Sequence, residues 1–350
     1  MAANTSRDMQ AVLFELGGRV AVQAVPAPAR QPDGVLLRVR ACGICGSDLH
    51  TLRSDREPPP IWLGHEIAGE VLEADRSSGL QPGDHVAVEP FVTCGECGHC
   101  QAGSYNHCTA QRFVGYSLPG GYAEFLQIPS GGHLHRLPAD LAWDKAAMTE
   151  PLAVGVHALR LAGLSAGLSV AFVGGGTIGL LALQAARAMG ASRTAMLAKY
   201  EHQGSLARRL GADAVALTSE VDPIARLTHE LGGPADVVVE AVGARSDAPN
   251  QALSLVRPLG TVVLTGVFTG PVEVTLSRIV GKEVRLLGSN CYNAAMDQQL
   301  DFDIAIDMLA SGAVDVGAVI THRFPLSQAP EAFAVSLDKG TGVVKAVLLP

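Results

Sequence analysis

The chain has 350 residues, of which 48% are hydrophobic and only 17% charged, a balance that excludes disorder and a length that suits two domains rather than one. Its 39 glycines and 20 prolines exclude a coiled coil or a helical bundle. A net charge of −8, from 34 acidic against 26 basic residues with no long run of either sign, argues against nucleic acid as a partner.

The opening stretch MAANTSRDMQ is polar, with Arg7 and Asp8 and no apolar segment behind them, so no secretory signal is expected and the chain is read as cytoplasmic. From residue 10 to about 150, short apolar runs such as QAVLFEL, GVLLRVRA, HEIAGEVLEA and DHVAVEPF are cut by Gly and Pro, which predicts antiparallel β-structure. Within this region Cys45 lies in CGICGSDLH, His65 and Glu66 in GHE, and Glu150 just before Pro151. Cys45, His65 and Glu150 make a three-ligand set of thiolate, imidazole and carboxylate, which leaves a fourth zinc position open for water or substrate. Taken singly, the three read more simply as a buried thiol, a core histidine and a glutamate at the N-terminal end of the following helix.

Seven cysteines is an odd number, and Cys94, Cys97, Cys100 and Cys108 crowd into fifteen residues with spacing C-x2-C-x2-C-x7-C. One loop can wrap four thiolates at that spacing around Zn²⁺, and such a closed site is structural. An iron–sulfur cluster would want the fourth cysteine three residues after the third with proline behind it, whereas here Thr109 follows a longer gap.

Near Met148 the texture changes to LAVGVHALRLAGL, a helical run, and a domain boundary is placed there, with residues 1–155 as the first domain and 156–290 as the second. Runs such as SVAFVG, GLLALQAARAMGA, TAMLA, SLARRLGA and DVVVEAVG alternate strand with helix, which predicts a doubly wound parallel sheet. The apolar stretch Val170 to Ala191 is broken by five glycines, Gln184 and Arg187, so it is not a membrane span. Gly174, Gly176 and Gly179 occupy the first, third and sixth places of GGGTIG, between a strand and a helix. Gly174 suits a tight turn, Gly176 a close approach of backbone to pyrophosphate, and Gly179 close packing of helix on strand. Residues 291–350 are expected to return to the first domain.

In this order and spacing, GICGSDLH, GHE, CGxCxxC, TEPLAVGVHA and the glycine cradle resemble the zinc-dependent medium-chain dehydrogenase/reductase family over nearly the whole chain. The resemblance is strongest to its polyol (sorbitol) dehydrogenase and threonine 3-dehydrogenase branch, where glutamate is the third protein ligand. It implies an α/β protein, a groES-like β-rich catalytic domain plus a Rossmann domain, with the catalytic zinc at the cleft between them. Two zinc ions per chain are implied: a structural one on Cys94, Cys97, Cys100 and Cys108, and a catalytic one on Cys45, His65 and Glu150, with Glu66 exchanging onto it or standing behind it. Ser47 would relay the proton of the substrate hydroxyl, His50 would pass it to solvent, and Asp48 would orient His65. Cys42 and Cys291 are left as core thiols, and Phe113, Tyr116 and Trp62 are candidates for the substrate pocket.

The dinucleotide would lie on Gly174, Gly176, Thr177, Ile178 and Gly179. Nineteen residues past Gly179, where an acid binds the ribose of NAD, stands Ala198. Ala198 leaves room for a 2′-phosphate, and Lys199, Tyr200 and His202 can meet it, so NADP is favoured; Glu201 keeps NAD open. The implied reaction is hydride transfer between a secondary alcohol, polyol or amino alcohol and NAD(P), forming the ketone. A zinc-free quinone or enone reductase of the same fold would lack the seven protein ligands present here, and a non-enzymatic dinucleotide-binding protein would have no need of Ser47 and His50. Small-molecule substrates and a homo-oligomer, dimer or tetramer, are the expected partners, with no nucleic acid or membrane.

Overall fold

In the first compact part of the chain, apolar residues alternate along short strands, and each strand buries one face. A computed structural model describes residues 8–54, 57–294 and 298–350. Strands β1 (Asp8–Glu15) and β2 (Arg19–Pro26) form an antiparallel hairpin closed by Gly17 and Gly18, both in the left-handed region. There follow β3 (Val35–Gly43), β4 (Glu66–Ala74), β5 (His85–Val92), β6 (Arg112–Phe113), β7 (Phe125–Ile128) and β8 (Gly132–Arg136). The second part contains β9 (Ser169–Val173), β10 (Arg193–Ala198), β11 (Ala214–Leu217), β12 (Ala235–Glu240), β13 (Val256–Leu264) and β14 (Arg285–Gly288), and the chain ends with β15 (Ile320–Pro325) and β16 (Lys345–Leu349).

One compact unit runs to Glu150 and regains the chain at Ile320–Pro350; the other is Pro151–Val319. The first unit holds the order β15-β16-β3-β4-β5-β6, with β7 on β3 and β8 on β5. All of these pairs are antiparallel except β15 with β16. Leu37, Val39, Val71, Val86, Val88, Leu126 and Ile128 fill its core, together with Tyr122.

The second unit is a parallel sheet in the order β11-β10-β9-β12-β13-β14, the doubly wound arrangement expected from the alternating runs. Its strands are apolar on both faces because helices cover both, and β9, SVAFV, is buried from Val170 onward. Strand order reverses between β9 and β12, so the C-terminal ends of these two strands define the crevice where such sheets take ligands.

Two boundaries differ from the sequence reading. The change of unit falls at Glu150/Pro151 rather than 155/156, and the return falls at Ile320 rather than 291. The second difference has a local cause. The Asp301 carboxylate, at the start of the helix Asp301–Ala310, accepts from His157 Nδ1 at 2.8 Å, from the Asn293 amide at 2.8 Å and from Arg160. His157 and Arg160 belong to the helix Thr149–Leu161, so a buried ionic cluster fastens Asn293 and the helix Asp301–Ala310 to the second unit. Cys291, expected in a core, is half-buried with a left-handed φ of 56°, while Cys42 is fully buried. Among the described residues, no helix is long and apolar enough to cross a membrane.

Candidate active site

The lobe between β5 and β6 carries the four clustered cysteines. A tetrahedron of Zn–S bonds of about 2.3 Å sets sulfurs about 3.8 Å apart. Here Cys94 and Cys100 are 3.9 Å apart, Cys97 and Cys100 3.5 Å, and Cys94 and Cys108 3.6 Å, so the donor set fits that ion. Amide groups are aimed at the sulfurs: the N–H of Cys94 donates to Cys108 Sγ and that of Cys97 to Cys94 Sγ, both at 3.4 Å. Backbone N–H donors, led by that of Cys100, hold the Cys97 thiol down to about 6. Cys108 is lowered too, chiefly by the Cys94 amide, whereas burial and then the Cys97 thiol push Cys100 up to about 12, so Cys97 and Cys108 give up their protons to a metal more readily than Cys100.

Cys45 caps the N-terminus of the helix Gly46–Leu52, directly after β3, and His65 directly precedes β4, whose first residue is Glu66. Because Gly43 pairs with Glu66 across the β3–β4 register, the two motifs meet although they are twenty residues apart. Ligand atoms of Cys45, His65 and Glu66 lie within 4.8 Å of one another, a second donor set of thiolate, imidazole and carboxylate. Glu150, 5% exposed in the first turn of the helix Thr149–Leu161, lies outside that tight trio. It is near enough for its charge to favour a proton on His65. The chemistry of these donors suits Zn²⁺.

Asp48 organises the trio from behind. Its Oδ2 accepts from the Cys45 amide at 3.1 Å and from Tyr122 Oη at 2.7 Å, and its Oδ1 faces His65 Nδ1 at 3.8 Å. Burial raises the Asp48 carboxyl above its ordinary value, against the pull of His65 and the Tyr122 hydroxyl. Burial also opposes a proton on His65, but Asp48, then Cys45 and Glu150, outweigh it and hold the metal-free imidazole well above its usual range. Glu66, 1% exposed, is gripped by Lys345, whose Nζ donates to Oε1 at 2.6 Å, to Oε2 at 2.7 Å and to the Ile44 carbonyl at 2.9 Å. Burial pulls the Lys345 ammonium down, yet Glu66, and behind it Cys45 and Glu150, carry its net shift upward.

Ser47 and His50 are half-buried, one turn apart on the helix Gly46–Leu52, and no hydrogen bond joins them. Of the three candidate pocket aromatics, Phe113 packs edge-on to His65 with centroids 5.7 Å apart. Tyr116 is 68% exposed, and Trp62 packs instead on the small cluster of Met9, Ala11 and Ala123.

In the second unit Gly174 turns with φ 112°, and a Cβ there would meet Val242 Cγ2 at 2.7 Å. A Cβ on Gly179 would fall 1.9 Å from the Gly174 carbonyl oxygen. Around Gly176, the N-cap of the helix Thr177–Ala188, a Cβ would meet nothing within 4 Å, so the space beside the N-terminus is open to an anion. Ala198 ends β10 and is buried, Lys199 Nζ stands 5.5 Å from the Tyr200 ring, and Tyr200 stacks on His202 at 5.5 Å. The Glu201 carboxylate accepts from Ser205 Oγ at 3.0 Å and Arg208 Nη1 at 3.3 Å, along its own helix.

Residues 31–139 match the Alcohol dehydrogenase GroES-like domain and residues 177–311 the Zinc-binding dehydrogenase domain. The chain is 34% identical to the D-arabitol-phosphate dehydrogenase of Enterococcus avium, over 94% of each chain. The chain belongs to the zinc-dependent medium-chain dehydrogenase/reductase family. It is 32% identical to the sorbitol dehydrogenase of Bombyx mori over 94% of this chain and 95% of that one, which places it in the polyol branch of the dehydrogenases. A zinc-binding dehydrogenase of Sinorhizobium meliloti, solved with NADP, superposes with a TM-score of 0.87 at 34% identity over 98% of this chain and 100% of the other.

Four residues around these dehydrogenase sites escaped the sequence reading. Tyr122 lies in GGYAEF, with nothing local to mark it. Gly43 is one glycine among many. Lys345 was visible as a lone cation in the apolar strand VVKAVLL. Glu240, at the end of β12 beside β9, buries its carboxylate to accept the amides of Val242 at 2.8 Å and Gly243 at 2.7 Å; its signal was an acid directly after the apolar run VVV.

Proposed function

We propose that this chain is a zinc-dependent oxidoreductase that transfers a hydride between a secondary alcohol of the polyol class and NAD(P), with the ketone as the other product. The observation that carries the reading is the convergence of Cys45, His65 and Glu66, with Glu150 close by, next to the helix that presents Ser47. Cys45, His65 and Glu150 are the ligands of the catalytic zinc, and Cys94, Cys97, Cys100 and Cys108 those of the structural one. A zinc held by the first set supplies Lewis acidity toward the alcohol or ketone oxygen. Ser47 takes the proton of the substrate hydroxyl and His50 carries it to solvent, while Asp48 fixes the ring of His65 and Phe113 shields it from water. The β-rich unit thus performs the chemistry, and the doubly wound unit holds the dinucleotide on Gly174, Gly176, Thr177, Ile178 and Gly179.

The second reading concerns the cofactor's form and favours NADP. Ala198 places no acid at the end of β10, and Glu201, the nearest one, is turned into its own helix by Ser205 and Arg208. Lys199 and Tyr200 are left to meet a 2′-phosphate. A homo-oligomer, as the relatives' branch implies, and a cytoplasmic location complete the proposal.

The test is metal analysis combined with cofactor reduction across secondary alcohols, polyols and threonine. Alcohol-dependent reduction by a chain holding both zinc ions is expected; enone reduction without zinc, or zinc and dinucleotide bound without turnover, refutes the reading. A preference for NAD of about tenfold in kcat/KM, roughly 1.4 kcal/mol, overturns the NADP assignment. Ala198→Asp is expected to shift preference toward NAD.

A further inference from the structure

Three titratable side chains outside both donor sets share one face of the β5–β8 pair. The register sets Glu89 opposite His133, and His135, two residues on, points the same way. Glu89 is fully buried, and its Oε2 meets His135 Nε2 at 2.8 Å. His133 is engaged by the four-cysteine lobe instead. Its Nε2 lies 3.0 Å from Thr93 Oγ1, and Tyr105 lies flat on the imidazole, with centroids 5.0 Å apart and planes inclined by 18°. Thr93 directly precedes Cys94 and Tyr105 stands between Cys100 and Cys108, so both partners belong to the lobe. The backbone closes the same contact: the Thr93 amide donates to the Gly131 carbonyl at 2.9 Å. A Cβ on Gly131 would fall 2.4 Å from the Thr93 carbonyl oxygen, so only glycine lets the turn before β8 approach the lobe this closely. Tyr105 is buried in this contact and His133 half-buried.

We propose that His133 is an acid-sensitive latch on the four-cysteine lobe: Tyr105 and Thr93 seat on its neutral ring and hold the lobe shut, and a proton on that ring favours the open lobe. The groups that face the ring are Glu89 from β5, His135 from its own strand, and Tyr105 and Thr93 from the lobe. Burial holds the imidazole below its usual value; Glu89 pulls the other way, and His135 adds to the effect of burial. Glu89 already has His135 on one oxygen, which limits what it can do for a second cation. Opening the lobe lifts Tyr105 and Thr93 away and returns the ring to water, where it regains its ordinary value. The open lobe therefore binds the proton more tightly than the closed one. Closure draws its full benefit from the neutral ring above the ordinary histidine value, and loses it as the pH falls through that value toward the lower one of the closed lobe. A single proton taken up on opening changes the opening equilibrium by at most about tenfold per pH unit. The proposed reaction makes no use of His133, so the latch acts on the lobe alone.

Hydrogen exchange of the amides between residues 94 and 108, measured on the zinc-loaded chain and corrected for intrinsic exchange, reads the opening of the lobe. Thiolates also gain protons when the lobe lets go of a metal, so the comparison is with His133→Phe, which keeps a ring under Tyr105 and cannot take a proton. From about pH 7.5 to about pH 5.5, opening in the wild-type chain should rise about threefold or more beyond its rise in His133→Phe. Parallel profiles overturn the latch. A second measurement follows the ring itself, through the Cε1 proton resonance of His133 in a chain with labelled histidine. The wild-type ring should titrate below the ordinary histidine value. In Tyr105→Leu, which uncovers the ring, and in Cys100→Ser, which opens the lobe, it should move up toward that value. These two variants keep the test standing if His133→Phe does not fold. A wild-type ring that titrates at or above the ordinary value, or one whose titration is unchanged in both variants, overturns the coupling between the ring and the lobe.

Discussion

Tyr122→Phe removes one oxygen and no carbon, and it tests whether Asp48 depends on its buried phenol. Tyr122 is fully buried, and its hydroxyl donates to Asp48 Oδ2 at 2.7 Å, with the Gly43 carbonyl at 3.2 Å. In the variant Asp48 keeps the Cys45 amide at 3.1 Å and His65 at 3.8 Å, but its charge loses its shortest partner. A hydrogen bond to a charged group contributes about 1.5–3 kcal/mol, and no cavity term adds to it here. With a value of about 2 kcal/mol, the melting temperature of a unit of this size should fall by about 4–8 °C. The hydroxyl also holds the Asp48 carboxyl down against burial, so its loss lets that value rise further. The destabilisation is therefore full where Asp48 is ionised and shrinks as the pH falls through its raised value. Zinc affinity should drop about 10–100-fold, because the group that aims His65 is less firmly held. Urea titrations at fixed zinc, with chelator competition at neutral and acidic pH, measure both effects. Unchanged midpoints together with unchanged zinc affinity would show that Tyr122 does not support Asp48, and the account of the ligand scaffold would be wrong.

Four further outcomes follow from the same geometry. Cys45→Ser should abolish turnover while leaving the far-ultraviolet spectrum intact, whereas Cys100→Ser should open the lobe and speed amide exchange between residues 94 and 108; near-normal turnover in the first or unchanged exchange in the second counts against the respective metal role. Ser47→Ala should reduce kcat about 100-fold or more and a His50 substitution less, so equal turnover in Ser47→Ala would mean that the proton leaves by another route. Gly179→Ala would set a Cβ 1.9 Å from the Gly174 carbonyl oxygen, which should cost about 1–3 kcal/mol in denaturant and weaken dinucleotide binding; wild-type values in both would remove the packing role of Gly179. Because Asp48, Cys45 and Glu150 raise the metal-free His65 imidazole, its protonated form stabilises the apo chain below the ordinary histidine value, and this contribution is lost as the pH rises through the higher folded value. Zinc uptake must displace that proton, so affinity at this site should climb over the same window with measurable acid release, and a pH-independent affinity would contradict it.

Ligands were legible wherever chemistry was packed into a short motif. The four cysteines share one lobe, and the glycines of GGGTIG stand between β9 and its helix, so local spacing alone announced them. Cys45 and His65 were legible as types, but it is the β3–β4 register that brings them together. What stayed hidden depends on contacts that no window of sequence contains: Lys345 is 279 residues from Glu66, and Tyr122 is 74 from Asp48. The misplaced return of the chain has the same origin, since Asp301 finds His157 at a separation of 144 residues. Periodicity reports which face of an element is buried, and says nothing about which distant charge is buried against it.

The lobe of Cys94 to Cys108 leaves the sheet at the end of β5 and rejoins it at β6, and these two strands pair at Phe91 with Phe113 and Val92 with Arg112. Its two ends are thus already clamped by the sheet, so unravelling the loop between them releases little of the chain that the core holds. Loss of its metal is then a local opening, a small cooperative unit whose amides would exchange with deuterium while those of β3, β4 and β5 stay protected. Phe113, which rejoins the sheet where the lobe ends, rests on His65. The loosening would accordingly be felt first at that imidazole, and heat or oxidants acting on the outer loop would reduce catalytic competence well before the protein unfolds.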